Sequence, residues 1–235
     1  MNSVVRILLV LVLLFVFGPF FIELLHGGNQ HDNARRVSCA SNLKQLGIAM
    51  TEYVQDYDGS LPAIDLTAAG GTATWRDSIF PYIKSPEVYR CPNDDTDYRG
   101  SSSPMALPHS YGASRLGMYG KGTAPGALSV PLCSPPTLQT IMLVDMRGST
   151  GGGWDIVSPA FLPSTGRELY IHVPRHIFYE RPGGTLNCLF ADGHVTRLKP
   201  MATLAPLNLW TRDNAPFTGQ DLQNARAILN HAEEE

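Results

Sequence analysis

His172, His176, Asp192 and His194 bring together imidazole and carboxylate groups, the side chains that hold zinc or move protons. Pro174 breaks any helix between His172 and His176, so the two do not form an i, i+4 pair on one helical face. A metal site would therefore need ligands converging from separate strands. The favoured reading is structural: Asp192-Gly193 makes a turn and His176 hydrogen-bonds backbone near it. Asp94, Asp95 and Asp97, which follow Cys91-Pro92-Asn93, place three oxygen donors close together, as Ca²⁺ prefers. Their spacing is not that of an EF-hand and lacks the closing glutamate, so a solvated acidic turn is expected first and a calcium ion second. No other cofactor is expected.

The four cysteines, at 39, 91, 133 and 188, contain no CxxC pair, which argues against a zinc ribbon or a thioredoxin-like redox motif. Their even number leaves disulfides open, depending on the compartment. There is no Gly-x-Ser-x-Gly elbow, Walker A loop or dinucleotide fingerprint. A structural or assembly protein is expected rather than an enzyme. The formal net charge of -3 gives no electrostatic footprint for DNA or RNA.

These residues need elements to position them, and the clearest is the stretch from Arg35 to Asp58. Cys39, Leu43, Leu46, Met50, Tyr53 and Tyr57 recur at steps of three and four, which puts them on one buried face of a helix. Arg36, Ser41, Lys44, Gln45, Glu52 and Gln55 fall mostly elsewhere and face water. Asn33 is placed to cap the start, while Asp58-Gly59 ends the pattern and Pro62 prevents its return.

Before that helix, residues 7–22 read ILLVLVLLFVFGPFFI without a charge, a run that rises roughly 24 Å as a helix. Leu24 and Leu25 extend it towards the ~30 Å of a bilayer core. Arg6 precedes it, and the sequence after it is a poor signal-peptidase site, so an uncleaved anchor is expected over residues 1–28. Arg6 on one flank and Arg35 and Arg36 on the other leave the orientation open by charge.

The chain's 22 glycines and 18 prolines cluster after residue 59, implying turns and short strands within one domain over 29–200. Trp75 to Ile83 suggests a short helix, Ser101 to Gly126 a long surface loop, and Thr140 to Asp145 a buried strand. In TLNCLFADGHVTRLK, Asp192-Gly193 separates two β-prone runs and predicts a two-residue type I′ hairpin, with Leu186, Cys188 and Phe190 on one face. A C-terminal extension, 201–235, carries a short helix from Thr218 to His231.

Two stretches resemble the prepilin-like, type II secretion protein G-like proteins with a C-terminal His...Asp-Gly signature. One runs from Ala34-Arg35-Arg36-Val37-Ser38-Cys39 through Asn42-Leu43-Lys44-Gln45-Leu46-Gly47 to Tyr53-Val54-Gln55-Asp56-Tyr57-Asp58-Gly59. The other is Arg175-His176 followed by Asn187-Cys188-Leu189-Phe190-Ala191-Asp192-Gly193-His194-Val195. His176, Asp192, Gly193 and His194 are the residues that carry the signature. Weaker likeness runs through Trp75, Phe80-Pro81-Tyr82-Ile83, Val88-Tyr89-Arg90-Cys91-Pro92, Ser110-Tyr111-Gly112 and Ile141-Met142-Leu143-Val144-Asp145.

The resemblance implies a pilin-like α+β fold: a long N-terminal helix, half in the membrane and half amphipathic, packed on an antiparallel sheet with long loops. It implies a single pass of the cytoplasmic membrane with the C-terminal domain outside. Its partners would then be the membrane and other pilin-like or secretion-system subunits, as for a pseudopilin. The prepilin processing pattern is echoed by Gly18-Pro19-Phe20-Phe21-Ile22-Glu23, but at the far end of the apolar run. A membrane-tethered module binding a glycan or peptide is the alternative function, with a tethered hydrolase behind it. Outside the cytoplasm Cys39 and Cys91 could join where the sheet packs on the helix, the alternative being two buried thiols. Cys133 and Cys188 could pair too, unless Cys188 is a small core residue of the hairpin.

Overall fold

The computed structural model describes residues 17, 34–62, 74–92, 94, 105, 107–114, 117–118, 129–131, 138–145, 156–157 and 185–234. The chain divides into two compact units, Met1–Val37 and Ser38–Glu235. In the first, the described residues are helical. The expected membrane segment falls almost wholly outside the described residues, and among those that are described no helix is long and apolar enough to cross a membrane.

Helix α1 runs through residues 34–56. Cys39, Leu43, Leu46, Met50 and Tyr53 are buried, as the periodicity requires. Tyr57 is not: it is 53% exposed and its ring lies 4.1 Å from that of Tyr53, stacked on it. The reason is local, because the helix has already ended and Asp58 and Gly59 both adopt positive φ, at 51° and 75°. The Gly59 N–H then donates to the Val54 carbonyl at 2.8 Å, closing the C-terminus in the manner of a Schellman turn.

Strand β1 (Ser60–Pro62) follows at once, and helix α2 (Trp75–Ile83) matches the expected span. Thr74 caps α2 through a capping box with Asp77, whose Oδ2 accepts from the Thr74 N–H at 2.8 Å and the Thr74 hydroxyl at 2.9 Å. A 3₁₀ turn, Pro86–Tyr89, leads to Cys91. The remaining strands are β2 (Tyr111–Ser114), β3 (Ser129–Pro131), β4 (Ile141–Asp145), β5 (Ile156–Val157), β6 (Leu186–Phe190) and β7 (Val195–Leu198). Helix α3 (Gly219–Glu234) closes the described chain, with Ala225 and Leu229 buried four residues apart.

The architecture is α+β. One sheet has the order β5-β2-β4-β6-β7, in which β2, β4, β6 and β7 each pair antiparallel with the next and β5 joins β2 in parallel. A separate ribbon pairs β1 with β3. Strand β2 corrects the expectation of a surface loop over 101–126, since all four of its residues are buried between β5 and β4. Serine, glycine and alanine in that stretch look like loop chemistry, yet small side chains also suit a strand covered on both sides.

The central strands β2, β4 and β6 are buried on both faces. Towards α1 they present Tyr111, Ala113, Met142, Leu143 and Leu189; on the other side Ile141, Val144, Leu186, Cys188 and Phe190 form a second core with Trp210. A bulge between Ile141 and Leu143 explains why two successive residues of β4, Met142 and Leu143, belong to one core. The C-terminal extension is thus an integral layer. Leu204, Leu209 and Phe217 pack on the second core, and the Ile141 N–H donates to the Leu209 carbonyl at 2.7 Å.

Candidate functional site

The Asp-Gly hairpin forms between β6 and β7, with Leu189 opposite Val195. Its turn differs from the expected type I′. The Phe190 N–H donates to the His194 carbonyl at 2.9 Å, the Gly193 N–H donates to the Phe190 carbonyl at 2.8 Å, and only Gly193 has positive φ, at 80°. This is a three-residue loop, a type I turn followed by a glycine bulge. Asp192 keeps negative φ because its side chain works inside the loop: Oδ1 accepts from the His194 N–H at 2.9 Å and pairs with His194 Nδ1 at 2.5 Å. Slight burial pushes the Asp192 carboxyl upward, but these bonds from His194 outweigh it and hold the group below its ordinary range. The His194 ring stacks on Phe190 with centroids 4.3 Å apart.

Lys44 of α1 donates to the Gly193 carbonyl at 2.6 Å, so a residue read as simply solvent-facing ties the helix to the hairpin. A Cβ on Gly193 would meet nothing closer than the Lys44 ammonium at 4.0 Å. Gly193→Ala is therefore expected to cost only the backbone penalty of a left-handed residue, about 1–2 kcal/mol, in equilibrium urea unfolding. His172 and His176 lie outside the described residues. Among the described residues no group of three His, Cys, Asp or Glu side chains could hold a metal ion.

Of the calcium candidates, Asp95 and Asp97 also lie outside the described residues. Asp94 is turned inward, 5% exposed, with Oδ2 accepting from the Ser110 hydroxyl at 2.7 Å. Its N–H donates to the Cys91 carbonyl at 2.8 Å. Cys91 is bonded to Cys39, their Cα atoms 5.0 Å apart, which joins α1 to the segment after the 3₁₀ turn. Asn42, one helical turn on, donates to the Arg90 carbonyl at 2.8 Å beside the bridge. Cys188 is a free buried thiol in the second core, so among the described residues it has the role of a small core side chain. Burial, then the nearby Asp145, pushes that thiol well above its ordinary range.

Two polar groups that sequence reading passed over sit beneath this region. Tyr111, at the start of β2, donates its hydroxyl to the Cys39 carbonyl at 3.3 Å, and burial raises its phenol. Directly across the ladder lies Asp145, the last residue of β4. Its Oδ1 accepts from the Asn187 N–H at 2.9 Å and its Oδ2 from Asn187 Nδ2 at 2.7 Å, both neutral donors on β6. Burial pushes Asp145 up to about 7, although Asn187 and the more distant Arg197 pull the other way. The signal was available: an aspartate closing the run IMLVD and an asparagine inside LNCLF are polar residues in otherwise apolar strands.

A buried arginine supports the approach to β2. Arg76 of α2 is 1% exposed and donates through one nitrogen to the Leu107 and Pro108 carbonyls at 3.0 and 2.7 Å. The surface between α1 and α2 forms an open groove of about 180 Å³, lined by Gln45, Ile48, Ala49, Glu52, Tyr82 and Ile83. Ile48 is 53% exposed there, an apolar side chain that faces water on the helix side away from the sheet.

Residues 31–139, a little under half of the chain, match the family SBP_bac_10, described as "Protein of unknown function (DUF1559)". Comparison with curated proteins and with solved structures gives no match.

Proposed function

We propose that this chain is a membrane-anchored, pilin-like protein of the bacterial envelope, a pseudopilin-type structural or assembly component that acts through protein contacts and is not an enzyme. The observation that carries this reading is a continuity. Helix α1, which buries one face on an antiparallel sheet, follows within a dozen residues of the uncharged run 7–22. An apolar segment feeding directly into a sheet-packed helix is the arrangement of a membrane-rooted spine. The disulfide between Cys39 and Cys91 agrees with a domain outside the cytoplasm, where such bonds persist. The exposed Ile48 beside an apolar groove suits a surface that meets another protein.

In this reading the Asp192-His194 turn is a structural lock, with Lys44 of the spine fastening it. Fractionation of the producing cell, followed by protease treatment of spheroplasts, tests the proposal. The protein should sediment with membranes and lose its C-terminal domain to protease added from outside. Recovery as a soluble cytoplasmic protein would reject it.

A further inference from the structure

We propose that Asp145 and Asn187 form a proton-linked tie between β4 and β6, through which the fold is more stable when the buried Asp145 carboxyl carries a proton than when it does not. This inference stands independently of the proposed function.

The geometry supports both protonation states. At 2.7 Å, the contact between Asp145 Oδ2 and the Asn187 side-chain amide fits either an N–H donated to a carboxylate or an O–H donated to an amide oxygen. A half-turn of the Asn187 amide exchanges one for the other, while the Asn187 backbone N–H goes on donating to Oδ1 at 2.9 Å. The same two hydrogen bonds therefore survive proton uptake. What changes is a full negative charge, held by a residue only 5% exposed.

The surroundings decide which state the fold prefers. On β2, the Tyr111 hydroxyl donates its hydrogen bond to the Cys39 carbonyl of α1. On β6, Cys188 offers a neutral thiol. Asn42 of α1 is neutral and hydrogen-bonded to Tyr111, and Asp94, which also acts on Tyr111, is of like charge. Among the described residues Arg197 of β7 is the cation that acts on Asp145, and the two form no ion pair. Burial penalises the Asp145 carboxylate by more than the Asn187 donors and Arg197 return, so the protonated form is favoured. The Asp145 carboxyl accordingly titrates at about 7 rather than at its ordinary 3.8.

The sign follows from proton binding. With the folded value raised above the unfolded one, the folded state holds the extra proton between pH 3.8 and about 7. The stability that Asp145 contributes is complete below this window and is lost as pH rises through it. For a single group with these values the unfolding constant grows roughly fifty-fold from pH 5 to pH 7.

The test uses the full chain purified in detergent, unfolded by urea at pH 5 and pH 7, beside Asp145→Asn. The substitution keeps the shape and hydrogen-bonding of the protonated carboxyl but cannot titrate. The wild-type unfolding constant should rise between the two pH values by roughly fifty-fold more than that of D145N. Equal pH dependence in the two proteins would overturn the proton-linked tie. A second readout needs no variant: the carbon-13 shift of the Asp145 carboxyl should titrate near neutrality in the folded wild type. A midpoint below pH 5 would overturn the proposal whether or not D145N folds.

Discussion

Replacing Cys39 and Cys91 together by serine should lower the stability of the folded domain by about 4 kcal/mol. The figure follows from the sequence separation of 52 residues: in the chain-entropy account, closing a loop of that length removes freedom from the unfolded state and so favours folding by about this much. Val88 and Tyr89 also pack in one core with Cys39, Leu43 and Leu46, but that packing does not shorten the unfolded chain as the bridge does. Beside the bridge, Asn42 reaches the Arg90 carbonyl and Tyr111 the Cys39 carbonyl, and each such bond contributes only about 1 kcal/mol. Both sulfurs are buried, Cys39 at 1% and Cys91 at 6% exposure, so a mild reductant should leave the native bond intact and cut it once urea opens the fold. Equilibrium urea unfolding of the double variant against the oxidised wild type measures the difference. A change below 1 kcal/mol would show that the bridge constrains little.

Truncating Trp210 to alanine should cost about 4 kcal/mol, the scale for removing a large aromatic from a packed core. Trp210 is 4% exposed and sits against Ile141, Val144, Leu186, Cys188 and Phe190, the face of the sheet opposite α1. Its indole N–H donates to the Thr203 hydroxyl at 2.7 Å, which binds the extension to itself as well as to the sheet. Trp210→Phe separates the two contributions. It keeps most of the apolar contact, loses the hydrogen bond, and should cost about 1–2 kcal/mol. If instead both substitutions proved neutral, the C-terminal layer would be dispensable and the second core incidental.

How much of this was legible in the sequence can be argued residue by residue. The buried stripe of α1 was readable from Cys39 to Tyr53, because a single helix imposes its own period on the chain. Its end was harder to judge. Tyr57 fits the spacing but comes after the last helical residue, and only the backbone of Asp58 and Gly59 reveals that. Strands β4 and β6 announced themselves by apolar runs, and α2 by its span. Strand β2 did not, since Tyr-Gly-Ala-Ser has neither alternation nor bulk; only its two neighbours in the sheet give it its place.

The hairpin was legible as a hairpin but not in its turn, because Asp-Gly serves two loop lengths and the choice rests on whether Asp192 bonds within the loop. The C-terminal extension read as an appendage. Its role as a covering layer depends on Leu204, Leu209, Trp210 and Phe217 meeting a distant sheet, and no local pattern encodes such a contact. The polar pair at the sheet end was missed for a similar reason: Asp145 and Asn187 are 42 residues apart, and each alone is merely an unusual residue in a strand.

The central claim is that α1 is the outer half of a spine whose inner half, residues 7–22, stays in the membrane. Mass spectrometry of the mature protein recovered from membranes tests it most directly. The account predicts that peptides covering residues 7–22 remain joined to the domain that carries the Cys39 to Cys91 bond. A mature protein beginning near Asn29, released from the membrane, would contradict it.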